Sequence, residues 1–218
     1  METLANPYSS LLLLGSALAL PFVVVASTSF IKIATVLLVL RSALGIQQAP
    51  PNMALYAVAL ALSVFIMAPV GDAMLKEAAR LEQLGAFNSV QTFLELGGAL
   101  FTPISDFLAK HSRPEMTELF SSRATILWPE DFRVGIGPNN ILIQAPSFLL
   151  SELSLAFQIA VLIYLPFVVI DLVVANVLTA LGMMMVSPTL VSVPFKLLLF
   201  VLIDGWYRLL DGLVLSYV

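Results

Sequence analysis

The residues best able to do chemistry are charges set inside apolar sequence. Asp171 lies deep in a long uncharged run, and Glu152 stands at the head of that run. Lys196 falls within the first turns of a later apolar run, and Asp204 follows about two helical turns on. A charge at membrane depth is costly, so it faces protein or water and finds a partner. A chain of such groups can carry an ion or a proton. The same groups can instead lock helices or subunits together as ion pairs. Locking is the simpler role, with Lys196 meeting Glu152 or Asp171, within one chain or between chains.

Other reactive patterns are sparse. Asp171 and Asp204 would suffice for a dyad sharing one proton, but Leu202-Ile203 precede Asp204 where intramembrane aspartyl proteases carry a glycine motif. The one histidine, His111, sits in charged sequence with no second histidine at metal-ligand spacing, which suits a solvated side chain. There is no cysteine, which excludes disulfides, thiolate metal sites and cysteine nucleophiles. No H-E-x-x-H, G-x-S-x-G or P-loop pattern occurs. These observations predict a protein that is not an enzyme and that needs no cofactor or metal.

Two uncharged motifs stand out. In Gly182-Met183-Met184-Met185-Val186-Ser187-Pro188, a glycine and a proline bracket a turn with three methionines at its tip. Methionine is unbranched and polarisable, so it conforms to irregular surfaces. A single methionine is ordinary core filling. Three at a hairpin tip suit a soft seal, if several copies surround an axis, closing on itself or around a passing unfolded chain. In Gln47-Gln48-Ala49-Pro50-Pro51-Asn52, the proline pair separates one helix from the next. A plain tight loop explains that motif as well as a binding role does.

The elements that must hold these residues follow from composition. Of 218 residues, 60% are hydrophobic and 11% charged, with a mean hydropathy of +1.00. Soluble domains are roughly 45–50% apolar and about 25% charged. Too few charges exist to cover a soluble surface, so lipid or extensive protein partners must cover much of the outside. The net charge of −4 leaves no basic stripe and excludes nucleic acid as a partner.

Four stretches approach the roughly 20 apolar residues that span a bilayer as helix. They run from about Ser9 to Ile31 with a further turn to Leu40, from Asn52 to Val70, from Leu153 to Leu181, and from Thr189 to Ile203 continuing towards Val218. The first is expected to be kept rather than cleaved, because Glu2 stands where a signal peptide needs positive charge. Between the second and third, Asp72 to Arg133 carries most of the charges and reads as a small helical insertion. There Leu75, Ala78, Ala79 and Glu82 follow helical spacing. Thr102-Pro103 marks a helix start, Ser112 and Glu115 have capping-box spacing, and residues 134–140 look like loop. Pro21-Phe22, Pro166-Phe167 and Pro194-Phe195 predict kinked segments.

The expected fold is therefore an all-α membrane-type protein: two kinked hairpins of four hydrophobic segments, with a helical insertion. The parts are residues 1–71, a polar insertion over 72–145, and 146–218 with the methionine turn. Lys32, Arg41 and Lys196 flank the short loops, which places those loops inside and the insertion outside the membrane.

Several of these stretches together resemble a family. Ser29-Phe30-Ile31-Lys32 and the run Leu40-Arg41-Ser42-Ala43-Leu44-Gly45 through Asn52 are similar to the R subunit of the type III secretion export apparatus, the SctR family, homologous to the flagellar biosynthetic protein FliP. The likeness resumes at Pro146-Ser147-Phe148 and Ser151-Glu152-Leu153, then Ala156-Phe157-Gln158-Ile159, Leu165-Pro166-Phe167 and Ile170-Asp171-Leu172-Val173. It ends with the methionine turn, Pro194-Phe195-Lys196 and Asp204-Gly205-Trp206; the insertion contributes least.

The resemblance implies a structural and pore-forming subunit through which unfolded substrates enter the secretion channel. It implies several copies in a pentamer-like helical ring, with the S and T subunits and membrane-ring proteins as partners and secretion substrates in transit. Its place would be the bacterial inner membrane, projecting into the periplasm. Met183, Met184 and Met185 would form a gasket around the channel, and Glu152 and Lys196 would pair structurally. The lack of a cleavable leader favours a virulence-type injectisome over a flagellum. From another class, a small ion- or proton-coupled transporter using Asp171 and Lys196 is the alternative.

Overall fold

Long runs of Leu, Ala, Met and Phe with few interrupting glycines favour helix, and the computed structural model is helical throughout. It describes residues 18, 25–46, 49–84, 98–133, 137, 140–183 and 185–218, and no strand occurs among them. The helices are α1 (Phe30–Ala43), α2 (Asn52–Gln83), α3 (Thr102–His111), α4 (Pro114–Leu127), α5 (Glu130–Arg133), α6 (Ile141–Ala180), α7 (Pro188–Leu202) and α8 (Gly205–Leu215). Most of the expected first segment, with Pro21-Phe22, lies outside the described residues, as do Gln47, Gln48 and Met184.

The chain divides into two compact units, residues 1–31 with 69–151 and residues 32–68 with 152–218. All three boundaries fall inside helices: Ile31 and Lys32 both lie in α1, α2 continues unbroken through Pro69 to Gln83, and α6 begins at Ile141, ahead of the apolar run expected from Leu153.

In the first unit, α3 and α4 pack on the opening turns of α6. Phe107 stacks against Phe148 with ring centroids 5.7 Å apart. The Ser105 hydroxyl donates to Gln144 at 2.9 Å, and the Arg113 amide donates to the Ser151 hydroxyl at 2.9 Å. His111 lies against Phe107 at 4.5 Å.

Two local expectations change here. Ser112 does not cap α4. It closes α3, its amide and its hydroxyl both donating to the Leu108 carbonyl, while Arg113 is the residue ahead of Pro114. A serine between two helices can satisfy either end, and here it takes the orphan carbonyl. On α2, Leu75 is 72% exposed, and the inward stripe is Met74, Ala78 and Leu81 instead. Helical spacing fits both stripes, so periodicity alone did not choose the face.

In the second unit the core gathers Leu40, Ala43, Leu44, Phe167 and Phe200. Phe200 meets Phe167 at 6.4 Å and Trp206 edge-on at 5.4 Å. Pro166 and Pro194 stand inside helices that continue through them. The sharp break among the described residues instead bends α7 and α8 apart by 62°. Asp204 at that break is left-handed, with φ 52° and ψ 44°. Aspartate tolerates this conformation better than most side chains. Gly205 follows because a Cβ there would enter the Phe200 ring. The final segment is thus a bent pair rather than the continuous run its hydropathy suggested.

Among the described residues two helices, α2 and α6, are long and apolar enough to cross a membrane, or three spans if the bent pair α7–α8 counts as one. Only 17% of the most apolar window of α2, and of α6, is buried within the chain. Val161, Leu165, Leu172 and Val173 on α6 are all more than half exposed. So large an apolar surface needs lipid or protein to cover it.

Candidate functional site

The first buried charge cluster joins the start of α1, the body of α6 and the turn after α8. Lys32 and Glu152 are each 1% exposed, with the lysine Nζ 3.3 Å from the glutamate Oε1. The same ammonium sits 3.5 Å over the centre of the Tyr217 ring, a cation–π contact. The Tyr217 hydroxyl donates to Glu152 Oε2. Both carboxylate oxygens therefore have a donor, and the lysine has an anion beside it and a π face beneath it. A buried pair persists only when its remaining bonding capacity is met in this way.

The second cluster holds Lys196 of α7 against α6 and the end of α1. The Lys196 Nζ donates to Asp171 Oδ2 at 2.6 Å and to the Ala43 carbonyl at 3.0 Å. Ser192, one turn before Lys196, donates to Asp171 Oδ1 at 2.5 Å. The lysine side chain is 4% exposed and the aspartate 32% exposed. Ala43 is in the last turn of α1, where carbonyls lack helical partners and negative dipole charge collects, so a cation there serves both needs.

Of the two partners open to Lys196, the structure therefore brings Asp171. Within one chain Glu152 and Lys196 are not paired with each other. Glu152 is held by Lys32 and Tyr217. From sequence Lys32 marks orientation and belongs to the family motif, with no pairing role. Its position inside an apolar run was nevertheless a signal that a carboxylate must reach it. Tyr217 and Ser192 gave no such signal, being ordinary neutral residues in apolar sequence. Asp204 lies exposed at the α7–α8 break, and no hydrogen bond joins it to Asp171 among the described residues.

The methionine turn is built on a helix stop. At the end of α6, Gly182 takes φ +75°, its amide donates to Thr179, and the Met183 amide donates to Leu178. These two bonds form a Schellman motif, which glycine favours because it bears no Cβ in the left-handed region. Gly45 ends α1 identically, with φ +76° and bonds from Gly45 to Ser42 and from Ile46 to Arg41. Met183 is 45% exposed and Met185 wholly exposed. The third member, Met184, lies outside the described residues. The helix stop thus carries apolar side chains, and no described residue covers Met185.

Comparison with known proteins gives the same picture across the chain. It is 45% identical over 219 residues to the Yop proteins translocation protein R of Yersinia pestis, covering 100% of this chain and 99% of that protein. It is 43% identical over 213 residues to the harpin secretion protein HrcR of Erwinia amylovora, covering 97% of each. To the virulence protein YscR of Salmonella typhimurium it is 44% identical over 198 residues, covering 91% of each. The FliP family matches residues 13–213, which include both charge clusters except Tyr217 and the whole methionine turn, and the chain belongs to that family.

Proposed function

We propose that this chain is a core structural and pore-forming subunit of a type III secretion export gate, through which unfolded proteins enter the secretion channel. The observation that carries the reading is end-to-end similarity to relatives named for secretion and translocation. The exposed apolar faces of α2, α6 and α7 support assembly with further copies and with the S and T subunits, in a ring within the bacterial inner membrane. Projection into the periplasm agrees with the positions of Lys32, Arg41 and Lys196 around the short loops. On this reading the chain is a non-catalytic component and the injectisome is its machine.

Met183, Met184 and Met185 are proposed as the gasket: repeated around an axis, their side chains close the channel and yield to a passing polypeptide. The charge clusters are proposed as locks. Asp171 and Lys196 satisfy each other within one chain, which supports a structural role over a transporter built on the same two residues. The test is an in-frame deletion of the gene in its host. Loss of effector proteins from the culture supernatant, with restoration by the intact gene, is the expected result. An unchanged secreted profile would overturn the proposal.

A further inference from the structure

A small cavity of about 270 Å³ in the first unit has the chemistry of a ligand site. Its wall includes Ser121, Thr125 and Trp128 from α4 and its end, Arg133 from α5, and Ile143 from α6. Two buried polar atoms on this wall, the Ser121 Oγ and the Arg133 Nε, have no hydrogen-bond partner among the described residues. Arg133 also forms no ion pair within 4 Å there, although Glu130 and Asp131 share its short helix. The Thr125 hydroxyl is already used, donating to Ser122 at 2.7 Å. Trp128 is braced edge-on by Phe132 at 5.4 Å.

A guanidinium presents several N–H groups in a planar fork. Leaving one of them buried and unbonded is unfavourable, and an acceptor seated in the cavity would satisfy it. A fork-shaped donor beside a hydroxyl fits the two oxygens of a carboxylate. The remaining wall, Ala124, Trp128 and Ile143, is apolar and fits a short aliphatic stem. We propose that this cavity binds a carboxylate, with Arg133 and Ser121 as its donors. The carboxylate is either a free small acid or the acidic side chain of another protein chain in the assembly. The free-acid source stands apart from the secretion reading; the protein-carboxylate source rests on it.

The chain has two tryptophans, so Trp206→Phe leaves Trp128 as the only reporter in this subunit. The variant, purified in detergent, is titrated with sodium acetate against sodium chloride at constant ionic strength. A saturable change in Trp128 fluorescence with acetate alone, weakened at least about tenfold by Arg133→Gln, identifies a free acid as the ligand. In a second arm, Arg133→Lys places an amine at the cavity in the complex purified with its partners, and carbodiimide treatment joins that amine to any carboxylate seated there. A cross-link to one acidic residue of another chain identifies a protein carboxylate. No acetate response together with no cross-link, or a cross-link only to Glu130 or Asp131 of the same helix, would overturn the proposal.

Discussion

Replacing Lys32 by methionine tests whether the buried cluster is a lock. Met nearly matches the length of the lysine stem, so the main change is removal of a cation that is 1% exposed. Glu152, also 1% exposed, then keeps the Tyr217 hydroxyl as a donor and loses its counter-charge. Orphaning one member of a buried pair costs about 3–5 kcal/mol. At about 1.4 kcal/mol per tenfold, the unfolded population rises by roughly a hundredfold to a few thousandfold. Lys32→Met combined with Glu152→Leu removes both charges and leaves an apolar contact. Replacing a buried pair in this way is often close to neutral, so the double variant should lose within about 1–2 kcal/mol of the wild type. Pulse proteolysis of detergent-solubilised protein across a denaturant series measures both. A double variant that loses the sum of the two single losses would refute the reasoning, because the charges would then not be acting on each other.

Three further outcomes follow. Asp171→Asn should destabilise more than Lys196→Met: the first leaves the Lys196 ammonium, 4% exposed, without its counter-charge, whereas the second leaves Asp171, 32% exposed, open to water and still accepting from Ser192. The same proteolysis should show a loss of about 2–3 kcal/mol for the first and about 1 kcal/mol for the second. Gly205→Ala drives a methyl into the Phe200 ring and should cost about 1–3 kcal/mol, partly recovered by adding Phe200→Leu. Changing Met183, Met184 and Met185 together to alanine should leave stability within about 0.5 kcal/mol, since Met183 and Met185 are exposed. It should also let a normally impermeant dye enter cells that hold the assembled machine, and an equally tight seal would remove the gasket role.

Much of the architecture was legible because helices with long apolar runs and glycine stops leave strong marks. Gly182 marks a turn in the sequence and proves to be the left-handed residue of a Schellman motif, as does Gly45 at the end of α1. The Lys196–Asp171 partnership was one of two readable options, because a lysine inside apolar sequence requires an anion and few exist. The rest depended on tertiary geometry. Which carboxylate reaches Lys32, and that Tyr217 closes over it, is set by where α8 ends after the Asp204 bend, and that bend has no proline to announce it. Ser112 could serve either of two helix ends, and the face of α2 around Leu75 depended on its neighbours.

The most direct test of the account is native mass spectrometry of the protein extracted in mild detergent after co-expression with the S and T subunits. The account predicts a single large hetero-oligomer that holds several copies of this chain together with both small partners. A monomer or dimer that takes up neither partner would contradict it.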